Sequence, residues 1–541
     1  MVDTALRPGP DLLRSLAPLL REWLPRQRWF AGKGLPVTGF TPVSVTELLP
    51  TGGRLALHHV LARATQGDGP GDCYQLLIAA RETLPPHLAP ARIGEVDGRT
   101  YYDALHDPWP AEVLLEAIRS DARVGDLRFA RTPGAEIRPG LVPRMVTAEQ
   151  SNSSVIYGDT FILKLLRRVV PGVNPDLELP LALTREHCDR VPDPVGWISA
   201  EVGTEPWVLG VAQRYVPDAV DGWELALQGV GKELGEFETG AYDADGYDTV
   251  ERTGADGYDA FEPPPATPPD ATPPDARRTG APDAPGVLPP PGRIRGPADR
   301  NSADGRGLTA DDREFTDVPL PPHAQPVRFA EDARALGRAT AEVHQALARA
   351  LPTVTLGQAQ LGPLVEGMVR RLEAAVAAVP SLRPYEAGLR TAFGALGELA
   401  GEGHTWVAQR IHGDLHLGQC LRTPAGRWLL IDFEGEPARP LAERRMPQPA
   451  VRDVAGMLRS FDYAAHSAEP PVPQWATACR AAYCSGYAQV TGVDPRTDPV
   501  LLRAYETDKA IYEVVYEARH RPDWLPVPLS AIRRLAAHEP T

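Results

Sequence analysis

Cysteine is scarce: there are five in 541 residues (Cys73, Cys188, Cys420, Cys479 and Cys484), odd in number and never spaced C-x-x-C. That argues against a disulfide framework and fits reduced, mostly buried thiols in a cytoplasmic protein. Positive charge is also in deficit, with 56 Lys and Arg against 71 Asp and Glu, a formal net charge of −15. Nucleic acid and anionic membrane surfaces are thereby excluded as main partners, although a nucleotide needs only a local basic pocket. No run approaches the roughly 20 apolar residues of a membrane span. The N-terminus has an early Asp3 and no long apolar core, so it does not read as a signal peptide. What the chain does have is 43% apolar residues, enough for sizeable cores, in a length that suits two to four structural units.

Taken in order, Asp11 reads as the N-cap of a helix carrying Leu12, Leu13, Leu16, Leu19, Leu20 and Trp23, stopped by Pro25. A dense basic-aromatic segment follows at residues 26–34, open to two readings: an anion patch, or a packed turn with solvated charges. Residues 43–49, 54–64 and 73–80 are short β-rich runs separated by turn residues, and residues 108–118 return to helical spacing. Residues 1 to about 100 thus form an α+β cap. Strand-like runs at residues 127–130 and 142–146 lead to Ser151, Asn152, Ser153 and Ser154, read as a small-residue turn between two strands. There is no Gly-rich signature here, but small side chains would let backbone N–H groups approach phosphates. Lys164 stands inside the next apolar run and is costly to bury alone. Asn174 and Pro175 start a helix well, which nominates Glu178 as the lysine's partner. A buried strand at residues 207–216 ends at Pro217, and its order along the chain makes Gln213, Tyr215 and Val216 a hinge candidate. Residues of about 240–325 are rich in Pro, Gly, Asp and short repeats, and are expected to be a disordered insertion. Helical periodicity resumes at Ala330 and runs through residues 368–379 and 389–399.

The rest of the chain is organised around His412, Gly413, Asp414, Leu415, His416, Leu417, Gly418 and Gln419, followed by a short strand into Ile431, Asp432, Phe433 and Glu434. An acid, an amide five residues on, and a second acid behind a strand are the groups that phosphoryl transfer from a magnesium nucleotide requires. The pattern is close to H-x-D…N…D-F-G of protein kinases, with Gln419 in place of Asn and Glu434 in place of Gly. Those changes point toward small-molecule kinases of the aminoglycoside-phosphotransferase type. Asp453 stands where kinase-like folds place a helix acid that braces the catalytic loop. In the last long helix Asp508, Lys509, Tyr512, Glu513 and Tyr516 combine charged and aromatic groups, a stripe suited to a polyhydroxyl substrate or to salt bridging on a solvated face.

Taken with residues 28–34, 150–154, 174–176, 412–414 and 508–513, these motifs make the chain resemble the bacterial maltokinases over nearly its whole length outside the insertion. The resemblance implies an α+β, two-lobed protein-kinase-like fold with an extra N-terminal α+β cap subdomain and a mostly helical C-terminal lobe. The implied divisions are a cap at residues 1–100, an intermediate subdomain at 101–216 and a C-lobe at 217–541. It implies transfer of the ATP γ-phosphate to the anomeric hydroxyl of maltose, feeding α-glucan synthesis. Asp414 would be the catalytic base, Gln419 and Asp432 the Mg2+ ligands, and Lys164 with Glu178 the phosphate-positioning pair. His416, Asp508, Lys509, Tyr512 and Glu513 would face the sugar. Some members of the family associate with trehalose synthase, and a monomer or weak homo-oligomer is expected. Two alternatives stay open: a kinase for another sugar such as glucosamine, and a non-catalytic scaffold for trehalose synthase. The joint presence of Asp414, Gln419, Asp432 and Lys164 weighs against the scaffold.

Overall fold

The computed structural model describes residues 10–51, 53–67, 71–146, 151–233, 294–295, 329–436 and 439–537. The first sheet has six strands, ordered Gly39–Leu49, Ala56–Thr65, Cys73–Arg81, Arg99–Asp103 and Arg92–Val96, with Arg168–Val169 added alongside Cys73–Arg81. Its two central strands are buried on both faces, and alternation assigns each residue to one of two cores. Ala56, Val60, Tyr74, Leu76 and Ile78 pack against Leu12, Leu13, Leu16 and Leu20 of the helix Pro10–Trp23, together with Trp29 and Phe30. Leu57, Leu61, Leu77 and Ala79 face the other way, toward the helix Pro108–Arg119 and the second sheet.

The second sheet is antiparallel throughout and has seven strands: Arg123–Val124, Leu127–Arg131, Pro194–Val202, Glu205–Arg214, Phe161–Leu166, Asn152–Tyr157 and Pro143–Met145, in that spatial order. The helix Pro175–Arg185 starts where expected, since the Asn174 side chain accepts the Asp176 N–H at 2.9 Å. Beyond it the chain is mainly helical. Ala330–Ala350, Gln358–Ala378, Glu386–Gly401, Val451–His466, Pro473–Thr491, Pro499–His520 and Pro526–Ala537 share one large core. The expected insertion at 240–325 lies outside the described residues except for Ile294–Arg295, whose backbone pairs in parallel with Ala468–Glu469. Among the described residues no helix is long and apolar enough to cross a membrane.

Candidate active site

After the strand Trp406–Ala408 and a β-bridge from Gln409 to Gln448, the 410–419 segment crosses to the strand Cys420–Arg422 without regular structure of its own beyond one turn at Leu417–Gln419. Such a loop must find partners for its backbone, and Asp453 supplies them from the first turn of Val451–His466. Its carboxylate accepts the His412 and Gly413 N–H groups, both at 2.8 Å, and bonds His344 Nε2 at 3.0 Å. Burial would raise the Asp453 carboxyl, but the His344 bond and the loop contacts outweigh it and hold it below the usual range. Two glycines permit the fit. Gly413 has φ +86°, and a Cβ on Gly456 would lie 2.7 Å from the Leu415 carbonyl oxygen.

The acids at the sheet-facing end of the loop form a cluster. Carboxylate oxygens of Asp176, Asp432 and Glu434 lie within 4.8 Å of one another. Lys164 reaches all three, at 3.1 Å to Asp176, 2.7 Å to Glu434 and in a short contact with Asp432. Gln419 Nε2 donates to Asp432 Oδ2 at 3.1 Å, and Asn152 Nδ2 to Glu434 Oε1 at 2.8 Å. Asp432 itself has φ +63°, an uncommon left-handed backbone for a residue that is not glycine, and one associated with functional sites. Burial pushes its carboxyl up, yet Lys164 overrides this and its pKa falls; Asp176, penalised by burial beside two other acids, rises. The three carboxylates offer only hard oxygen ligands, which suits Mg2+, and Gln419 stands at their edge, facing Asp432 with its amide nitrogen.

On its other side the loop borders a cavity of about 230 Å³, which Asp414, Glu436, Arg452, Asp508, Lys509 and Tyr512 help to line. Lys509 Nζ donates to Asp414 Oδ1 at 3.1 Å and lies 5.6 Å from the Tyr512 ring centre. Burial would lower the Lys509 ammonium, but Asp414, Glu436 and Glu513 raise it. Arg371 grips Asp508 with two bonds, 2.8 and 2.9 Å. Glu436 takes Arg439 and Arg452, each at 2.8 Å, and these hold its pKa down at about 2 against the effect of burial.

Several expectations need correction. Glu178 does not pair with Lys164. It binds Arg410 at 2.6 Å, while Asp176, two residues earlier, takes the lysine. Asn152, Ser153 and Ser154 are not a turn but begin the strand Asn152–Tyr157; Ser151 is an exposed residue at its start, and residues 147–150 lie outside the described residues. Strand alternation points Asn152 and Ser154 to the Lys164 side, since their ladder partners are Leu166 and Lys164, and sends Ser153 to the opposite face, where it accepts Arg167 Nε at 2.8 Å. Glu513 turns away from the cavity to Arg459, at 2.8 Å. His416 is buried outside the cavity lining and caps the turn by accepting Gly418 N–H at 3.1 Å; burial lowers it to about 4. The hinge candidates sit at the end of Glu205–Arg214: Gln213 pairs with Ile162, and Tyr215 N–H donates to Thr160 O at 2.8 Å, with Val216 partly buried beside it. Sequence reasoning passed over Asp176, Glu434, Glu436, Arg371 and Arg452. Only Asp176 and Glu434 carried a signal, as an acid behind the N-cap and as the departure from D-F-G.

The architecture is of the kinase type: an antiparallel sheet presents a lysine, and a helical lobe presents an acid–amide–acid loop. Residues 23–107 match the family model of the maltokinase N-terminal cap domain. The chain is 27% identical over 467 residues to a glucosamine kinase of Mycolicibacterium smegmatis (strain ATCC 700084 / mc(2)155), covering 84% of this chain and 94% of that protein. It is 25% identical over 438 residues to a glucosamine kinase of Streptacidiphilus jiangxiensis, covering 77% and 79%. Among solved structures, a glucosamine kinase in complex with glucosamine, ADP and inorganic phosphate superposes with a TM-score of 0.60 at 19% identity, over 95% of this chain and 98% of that one. The chain carries a maltokinase-type cap and shares its overall fold with that kinase.

Proposed function

We propose that the protein is an ATP-dependent sugar kinase that phosphorylates maltose at its anomeric hydroxyl. The observation that carries the kinase reading is that one braced loop serves two places. Its Asp414 lines the cavity, and its Gln419 bonds Asp432 in the acidic cluster. Asp414 orients the acceptor hydroxyl and takes its proton, and Lys509 fixes the direction of that carboxylate. Lys164 holds nucleotide phosphate at the cluster, with Asp176 fixing the lysine in place of Glu178. Asp432 and Gln419, with Glu434 or Asp176 in reach, would hold Mg2+, which supplies charge neutralisation on the transferring phosphoryl group.

Maltose as acceptor is supported by the cap match and by the state of the cavity's acids. Asp414, Glu436 and Asp508 each already hold a cation of the protein, which suits neutral hydroxyls better than an ammonium group. Glucosamine is the second reading, favoured by the relatives' activity and by Glu443, an exposed carboxylate on the cavity lining that a cationic sugar could meet. Incubating purified protein with ATP, magnesium and a panel of maltose, glucose and glucosamine, then identifying the product by 31P and 1H NMR, decides between them. Maltose 1-phosphate is expected; phosphorylated glucosamine alone would overturn the acceptor, and no phosphorylated sugar would overturn the kinase reading.

A further inference from the structure

The basic-aromatic segment at residues 26–34 has no part in the site just described. Trp29 and Phe30 are buried while Arg28 and Lys33 are exposed, so the aromatic part of the segment is a packed turn. What Trp29 packs against is a buried cation. The Arg167 guanidinium carbon lies 4.6 Å from its ring centre, and Arg167 is only 1% exposed. A guanidinium so buried needs partners. It has one in the cap, donating from Nη2 to Asp103 Oδ2 at 2.6 Å, and one in the second sheet, donating from Nε to Ser153 Oγ at 2.8 Å.

The location matters because of what flanks it. Arg167 follows Lys164 by three residues, and Ser153 sits between Asn152, which holds Glu434, and Ser154, the ladder partner of Lys164. The backbone around Arg167 is gripped by the same cap sheet. Gln75 N–H donates to Arg167 O, and its side-chain amide donates to the Leu166 and Leu209 carbonyls, all at 2.8 Å. Arg168 and Val169 then join the cap sheet against Tyr74 and Cys73. We propose that Arg167 is a positioning residue through which the cap, by Trp29 and Asp103, fixes the strand that presents Lys164's neighbours to nucleotide phosphate. This rests on the kinase reading above. The arginine touches no substrate; it acts through Ser153.

A purely structural ion pair would lower thermal stability and leave the kinetic constants of the folded fraction alone. A positioning role moves the constants for one substrate. Ser153→Ala deletes only the link to the strand and keeps the Arg167–Asp103 pair, and Arg167→Lys keeps the charge but not the two-directional fork. Each variant, in the full chain, is assayed with ATP varied at saturating acceptor and then the reverse, using the sugar that the unmodified protein phosphorylates. The expected result is an ATP KM raised about 3- to 10-fold in Ser153→Ala, with the acceptor KM unchanged. Arg167→Lys should raise it at least as far, and the double variant no further than Arg167→Lys alone, as for directly coupled groups. If Arg167→Lys does not fold, Ser153→Ala decides alone. Unchanged ATP KM in a phosphorylating Ser153→Ala protein overturns the positioning role and leaves the kinase reading intact. Failure of the unmodified protein to phosphorylate any sugar overturns both.

Discussion

The identity of the acid that holds Lys164 can be tested by a double-mutant cycle. Lys164 is 17% exposed and touches Asp176, Asp432 and Glu434, so deleting it strands three carboxylates. Deleting Asp176 removes a partner at 3.1 Å, but also relieves crowding with the other two acids and frees the Phe433 N–H that Asp176 accepts at 2.9 Å. Those opposing effects place the coupling of Lys164→Ala with Asp176→Ala at roughly 1–3 kcal/mol, the usual span for groups in contact. In kcat/KM for ATP that is about 5- to 150-fold short of additivity. Glu178 belongs to another pair, with Arg410, and Glu178→Ala should add to Lys164→Ala within about 0.5 kcal/mol. The assay is steady-state kinetics on the unmodified protein, three single and two double variants, with thermal melts to show that each is folded. Full additivity for Asp176 together with strong coupling for Glu178 would refute the placement of this helix.

Asp414→Asn should lower kcat by about 10²- to 10⁴-fold, the range for loss of a positioned base, while ADP affinity measured by calorimetry stays near that of the unmodified protein. Tyr512→Ala should raise the acceptor KM roughly 5- to 100-fold by losing ring and hydroxyl contacts, with the ATP KM steady. His59 gives a pH effect: burial lowers it to about 4, with the Gln75 bond at 2.8 Å opposing only partly. Because the fold favours its neutral form, stability is full above the unfolded value of about 6.5 and falls as pH drops toward 4, by about 3 kcal/mol. Urea denaturation at about pH 7.5 and about pH 4.5 should show that loss reduced in His59→Gln.

The sheets were legible because alternation and turn residues mark a strand locally, and the 412–434 acid–amide–acid motif because its spacing is short-range. Side-chain direction was not. Asp176 and Glu178 follow the same N-cap, and two helical residues differ by about 200°, so only one could face the sheet. The chain alone does not say which, since that depends on how the helix is rotated against strands more than ten residues away. Glu513 was misread for a similar reason. It sits about 100° around the helix from Tyr512, far enough to face Arg459 on Val451–His466 while Tyr512 faces the cavity. The Ser151–Ser154 segment was misread because small polar residues favour turns locally. In the fold, Ser153 and Ser154 are 2% and 1% exposed, and a ladder partner and Arg167 outweigh that preference. Arg371, Glu436 and Arg452 offered no local pattern, because their meeting is a product of the tertiary fold.

Charge in the cluster around Lys164 leads to a final expectation. Three carboxylates face two cations there, Lys164 and Arg444, the latter with Nη1 3.8 Å from Glu434 Oε2. The formal balance of the cluster is 2 − 3 = −1, in a largely buried setting where repulsion is weakly screened. A nucleotide polyphosphate arriving alone would add negative charge to a site already negative. Arriving with a divalent cation, it brings the positive charge that the carboxylate oxygens of Asp432 and its neighbouring acids suit. ADP should therefore bind at least about tenfold more tightly with magnesium than with excess chelator, a difference of about 1.4 kcal/mol. In Asp432→Asn, which removes one negative charge and one hard donor, the ratio should shrink from both ends: ADP alone binds better and magnesium–ADP worse. Calorimetric titrations of the two proteins with and without magnesium measure all four affinities. An unchanged ratio in Asp432→Asn would mean that the cation is held elsewhere, and that the three acids serve only to anchor Lys164.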